Sequence, residues 1–244
     1  MPVHHRADAE VTLDPDKVYS LETQSKVTYD GGKTWNKLTT GLPAGDIGRI
    51  GLAISPVNPD YIYAIIEAQG KSGGFFRSTN RGATWEKMNE VVSSSAQYYS
   101  EIFCDPVDVN KVYLLDTYSQ ITTDGGKTFT PISTKGRHVD DHAFWINPKN
   151  INHYMIGGDG GIYETFDGGV SWLFKANLPI TQFYRINVDN DLPFYNVYGG
   201  TQDNQSMGGP SRTISADGII NSDWFMTNGG DGFWTAVDPI NTNI

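Results

Sequence analysis

The chain has one cysteine, Cys104, which excludes an internal disulfide. At the end of the apolar run Ile102–Phe103–Cys104 that thiol reads as a small buried residue. No stretch of about 18 apolar residues occurs, so no segment reads as a membrane-spanning helix. Positive charge is scarce: 18 Lys and Arg face 28 Asp and Glu, a formal charge of −10. That deficit argues against nucleic acid and against an anionic membrane surface as partners. Met1 to Arg6 supply neither the basic nor the apolar part of a leader. The last residues, Asp238–Pro239 to Ile244, have wording that elsewhere in the chain precedes a strand. Both ends give the expectation of a fragment of a longer, exported protein, extracellular or at the cell surface.

What the sequence has in quantity is glycine, 27 residues, and aromatics, 12%. Short strands joined by tight turns need this composition, and 244 residues suit one large all-β domain. One stretch recurs. Thr28–Tyr29–Asp30–Gly31–Gly32–Lys33–Thr34–Trp35 returns as Ser78 to Trp85, as Thr122 to Phe129 and as Thr165 to Trp172. The invariant parts are a hydroxyl residue, Asp or Asn two positions on, Gly two after that, then Thr or Ser and an aromatic. The acidic or amide positions are about 43 to 50 residues apart, a period that marks a solenoid, propeller or array. Physically, Asp or Asn caps backbone N–H groups in a tight turn, Gly takes positive φ, and the aromatic starts the next strand.

A second repeat precedes each copy: a polar residue and proline, then a tyrosine-rich apolar run. It is seen at Asp14–Pro15, Ser55–Pro56, Asp105–Pro106 and Asn147–Pro148. The unit is therefore a four-stranded antiparallel meander, the blade of a propeller. Blades are expected at about 9–39, 47–88, 98–132, 143–175 and 184–228, with the first strand of another in 232–244. The insertion Gln202 to Asp217 reads as loop. Five blades and one strand leave an open edge, closed by missing C-terminal blades or by an oligomer.

The repeated stretch resembles the Asp-box, or BNR, repeat of sialidase-like β-propellers, and the resemblance covers nearly the whole chain. In those families the box is structural, which implies that Asp30, Asn80, Asp124 and Asp167 are not catalytic. The chain is similar to bacterial Asp-box proteins described as glycosyl-hydrolase-like, related in repeat type to xyloglucanases and to sortilin. Such a likeness implies a polysaccharide or oligosaccharide as partner, or else a peptide or protein.

Antiparallel order sorts the loops. Proline turns and repeated turns share one face; second-to-third-strand loops and blade connections share the other. The second face gathers the irregular polar, aromatic and Gly-rich segments, a default binding surface. Asp159, between glycines at a strand end, is the leading catalytic candidate. Gly158–Asp159–Gly160–Gly161 is similar to a motif of xyloglucanase-type enzymes whose aspartate is one of the catalytic pair, although there Gly does not directly follow the Asp. Glycoside hydrolysis needs two carboxyl groups about 5 to 9 Å apart, and Asp203 and Asp231 are the candidates for the second. Tyr98, Tyr99, Arg137, His138, Asp140, His142, Gln182, Tyr184, Arg185, Gln202 and Asn204 are candidate substrate contacts. The tyrosines also read as core. Alternation along an extended segment would put His138, Asp140 and His142 on one side, a possible Zn²⁺ site, while carbonyl-rich acidic loops would favour Ca²⁺. Neither ion is required by a carboxylate mechanism. The arginine triad and Tyr/Glu pair of a sialidase are not matched by Arg137, Arg185 and Arg212.

Overall fold

The computed structural model describes residues 17–20, 26–176 and 181–238. It is all-β, in antiparallel meanders whose strands follow one another in chain order. Three strands make the first: β1 (Val18–Ser20), β2 (Lys26–Thr28) and β3 (Asn36–Lys37). The second is β4 (Ile47–Ile54), β5 (Ile62–Ala68), β6 (Gly74–Ser78) and β7 (Glu86–Asn89). The third is β8 (Glu101–Cys104), β9 (Val112–Leu115), β10 (Gln120–Thr122) and β11 (Thr130–Pro131). The fourth is β12 (Asp141–Ile146), β13 (Tyr154–Gly158), β14 (Gly161–Thr165) and β15 (Leu173–Phe174). The fifth is β16 (Phe183–Val188), β17 (Asn196–Thr201), β18 (Ser206–Pro210) and β19 (Phe225–Asn228). The chain divides after Phe174 into two compact units, with the first four meanders in one and the fifth in the other. Among the described residues no helix is long and apolar enough to cross a membrane.

Stacking of the meanders in the first unit follows from the second strands. Ile62, Tyr63, Ala64, Ile65 and Ile66 of β5 are all buried, because alternate side chains leave opposite faces of a strand. Ile62, Ala64 and Ile66 enter one core with Phe76 and Trp85. Tyr63 and Ile65 enter the next, with Phe75, Ile102, Val112 and Leu114. β9 repeats the arrangement: Val112 and Leu114 face backward, Tyr113 and Leu115 forward against Phe144, Tyr154 and Ile156. Each apolar run is thus continuous because it serves two cores, and each fully buried Leu or Ile contributes about 1.5–3 kcal/mol. The first strands lie side by side, with β8 against both β4 and β12.

Several boundaries differ from the sequence reading. An expected strand at about Ala9–Leu13, and the turn at Asp14–Pro15, fall outside the described residues. The aromatic of the repeated stretch does not open the next strand. Trp35 and Trp85 instead donate their indole N–H to the carbonyls of Gly32 and Gly82, both at 3.1 Å, and β3 and β7 begin one residue later. Within the expected loop 202–217, Ser206–Pro210 is a strand paired to both neighbours. Glycine's poor strand propensity hid it. Here a Cβ on Gly208 would meet the ring of Phe225 at 2.8 Å, and one on Gly209 the ring of Trp224 at 2.6 Å. Residues 232–237 form no strand. They are held against β16 and the end of β17 by separate contacts: Gly232 N–H to the Thr201 carbonyl, the Asn187 amide to the Thr235 carbonyl, and Phe233 stacked on Tyr184 at 4.8 Å.

Candidate functional site

At one end of the meanders the repeated turns share one hydrogen-bond scheme. The Thr28 hydroxyl donates to Asp30 at 2.7 Å and accepts the Gly32 N–H. Asp30 in turn accepts the Thr34 N–H at 2.9 Å and the Thr34 hydroxyl at 2.6 Å. Asp124 and Asp167 repeat every one of these bonds. Asn80 does so with its amide donating to Thr84. Hydrogen bonds from the Thr or Ser four residues on, chiefly its hydroxyl, hold the three carboxyls down to about 2. A carboxylate so fully engaged by its own turn neither donates a proton nor attacks. The polar–proline turns lie at this end too: Arg81, Gly125 and Gly168 donate backbone N–H groups to the carbonyls of Asp60, Asn110 and Asn152.

At the other end of the first unit, the loops bond across meanders. Asp116 accepts the backbone N–H and the hydroxyl of Ser94. The Asp140 and Asp141 N–H groups reach the carbonyls of Thr117 and Asp116, both at 3.2 Å. Asp141 accepts the Ser119 hydroxyl at 2.5 Å and the Arg137 guanidinium at 2.7 Å. This ion pair is buried, with side chains 3% and 0% exposed, and Arg137 also lies 4.9 Å from the Trp172 ring centre. Burial pushes the Asp141 carboxyl up, with Arg137 and Ser119 opposing. Arg137, a candidate substrate contact by sequence, is therefore a buried tie beneath the loops.

Above that tie the structure assembles four of the sequence candidates. The Asp159 N–H donates to the Asp140 carbonyl at 3.1 Å, and its carboxylate lies 3.3 Å from His142 Nε2. His142 stacks on Tyr99, ring centres 4.9 Å apart and planes at 10°. The Tyr99 hydroxyl donates to Asp140 at 2.6 Å; burial first, and then Asp140, push that phenol up to about 12. The two adjacent tyrosines divide the alternatives left by the sequence: Tyr99 is buried core, whereas Tyr98 is 64% exposed. His138 keeps Nδ1 2.8 Å from the Val139 carbonyl, and it brings a ring nitrogen within 4.8 Å of an Asp140 oxygen. His142 does not join that pair. The expected alternation breaks because Asp140 takes φ +65°, so the segment is not extended and the three side chains serve three different partners.

His142 also lines a cavity of about 570 Å³ between β4, β8 and β12, with Arg49, Glu101, Phe144, Trp145 and Met155. Its lining includes the pair Arg49–Glu101 at 2.9 Å, where Arg49 also donates to the Gln97 carbonyl. Glu101 was missed in the sequence. Its signal is an acid opening a first strand, directly after the aromatic loop 97–99.

In the second unit, Asp203 and Asp231 are neighbours: the Asp203 N–H donates to Asp231 Oδ1 at 3.1 Å. Asp203 and Gln205 take positive φ, and Gln205 donates to the Gly230 carbonyl at 2.9 Å, so the loops 202–205 and 229–232 form one structure. The Asn204 amide bonds the Gln202 carbonyl. Gln182, Tyr184 and Arg185 are exposed, with Tyr184 on Phe233 and Arg185 5.8 Å from the Trp234 ring centre.

No family model and no curated protein matches this chain. Solved structures do. An ancestral GH74 enzyme superposes with a TM-score of 0.51 at 16% identity, over 94% of this chain and 33% of that one. The GH74 enzyme of Niastella koreensis gives 0.48 at 20%, over 88% and 30%. YCF48, in a structure with bound D1 peptide, gives 0.49 at 12%, over 87% and 65%. This chain thus spans about a third of the length of the GH74 enzymes. The likeness to the ancestral enzyme, together with the four-stranded meanders, makes the fold that of a β-propeller.

Proposed function

We propose that this chain is part of an extracellular, carbohydrate-directed propeller built on Asp-box turns, which hydrolyses a plant-type β-glucan with Asp159 as one of its carboxyls. The observation that carries the reading is the contrast in how aspartates are held. The turn carboxylates are closed by their own segments, whereas Asp159 is held by an imidazole that lines an open cavity. Hydrolysis by a carboxyl pair has one acid protonate the glycosidic oxygen while the other activates water or attacks the anomeric carbon. No cofactor enters that scheme. Asp203 and Asp231 are the remaining candidates for the pair. Exposed Tyr98 and Tyr118 on the loops of the same end offer flat faces for a sugar ring, and equally for a peptide. They support the second reading, a propeller that binds glycan or protein without chemistry.

The test is reducing-sugar release from xyloglucan, mixed-linkage β-glucan, xylan and cellulose. Release by the wild type that falls by at least about 100-fold in a folded Asp159→Asn supports hydrolysis. Asp203→Asn and Asp231→Asn ask the same of the second carboxyl. Equal release by Asp159→Asn removes Asp159 from the mechanism, and no release by a folded wild type transfers the proposal to the binding reading.

A further inference from the structure

We infer that His142 is a positioning residue for Asp159, and that Tyr99 is the clamp that fixes His142; this rests on the reading of Asp159 as a working carboxyl. The argument is a closed ring of contacts. Asp159 is tied through its backbone to the Asp140 carbonyl and through its side chain to His142 Nε2. The His142 ring lies flat on Tyr99, and the Tyr99 hydroxyl returns to the Asp140 side chain. Asp140 itself is pinned by its N–H to the Thr117 carbonyl on the neighbouring meander. Four side chains or backbones thus determine one another, and His142, the residue that touches the Asp159 carboxylate, is the member that lines the cavity.

A purely structural tie has a different construction, and it stands next door. Asp141 is held by an arginine, and both side chains are almost wholly withdrawn from solvent. Asp159 and His142 keep 16% and 35% of their side-chain surface exposed. Their contact runs through one nitrogen of a planar ring, His142 Nε2 at 3.3 Å, and the plane of that ring is set by the stack on Tyr99. Such a contact places one carboxylate oxygen without burying the group, as positioning of a reacting atom requires. A flexible lysine would supply attraction without a ring plane to place it.

The experiment combines a spectrum with kinetics on the whole chain. Ring-nitrogen resonances of ¹⁵N-histidine-labelled protein are compared between wild type and Asp159→Asn at one pH; the His142 signals are expected to move. In hydrolysis of the preferred glucan, His142→Ala is expected to lose up to about 100-fold in kcat. Its KM should stay within about threefold, the split that marks lost transition-state orientation. His142→Gln, which keeps an N–H donor at a similar reach, is expected to recover most of the loss, and Tyr99→Leu to reproduce His142→Ala. If the protein only binds, the same variants are ranked by Kd for a xyloglucan oligosaccharide, with the same order expected. Unmoved His142 resonances overturn the inference whatever the activity. So does an inactive or non-binding Asp159→Asn beside fully competent His142→Ala and Tyr99→Leu. Wild-type behaviour of Asp159→Asn instead overturns the parent reading, even where the resonances move.

Discussion

The two ends of the meanders use the same residue, aspartate, in opposite ways. At the turn end, the partners of Asp30, Asp124 and Asp167 lie within four residues. At the loop end, Asp116 reaches back to Ser94, Asp141 to Ser119, and Asp140 to Tyr99 on the preceding meander. Bonds closed within one segment can be copied from blade to blade without reference to neighbours. Bonds between segments depend on which neighbour is present, so each is different. The repeating end is scaffold, and the end that does not repeat is where a single specific site can form.

Breaking the loop end at its buried tie should have the largest effect. Asp141→Ala strands the Arg137 charge in the interior and is expected to cost about 3–5 kcal/mol in urea unfolding. At the turn end, Gly126 has φ +95°, and a Cβ there would meet the Phe75 ring at 2.5 Å. Gly126→Ala should therefore cost at least about 1–3 kcal/mol and lower the melting temperature without touching the loop end.

Acid sharpens the comparison. Carboxyls held at about 2 contribute stability that is complete above about pH 4 and is lost as pH falls toward 2. Asp141, raised by burial, takes up its proton at a higher pH than they do. Urea midpoints measured from pH 7 to 2 should hold and then drop below about pH 4, and Asp124→Asn should shallow that drop. The smallest effect is expected from Asn80→Asp, which gives the second turn the carboxylate of the other three. At neutral pH it should change stability by no more than about 1 kcal/mol, and it should steepen the acid limb.

The difference between the ends also explains how much could be read in the sequence. The repeated turns and the polar–proline turns were legible because their bonds are local. The second strands β5 and β9 were legible as apolar runs because both of their faces enter a core, but which face serves which core was not. The fifth meander was less so. Its turn at Asp189 closes onto Asn196 like Ser55 onto Tyr61, Asp105 onto Lys111 and Asn147 onto His153, but no proline follows Asp189 to announce it. β18 was hidden by its glycines. In the candidate site, Asp159 and the aromatic and histidine neighbours were visible as residue types. Their pairing was not, because it turns on the positive φ of Asp140 and on contacts between blades. The same limit placed Arg137 at the rim when it is buried, and passed over Glu101.

The most direct test of this division of labour sets Asp124→Asn beside Asp159→Asn, measuring thermal melting and reducing-sugar release from xyloglucan on both. The account expects Asp124→Asn to melt earlier and release sugar as wild type does, and Asp159→Asn to melt as wild type does and lose release. A folded wild type that releases no sugar, or an Asp159→Asn that loses stability and keeps its release, would contradict it.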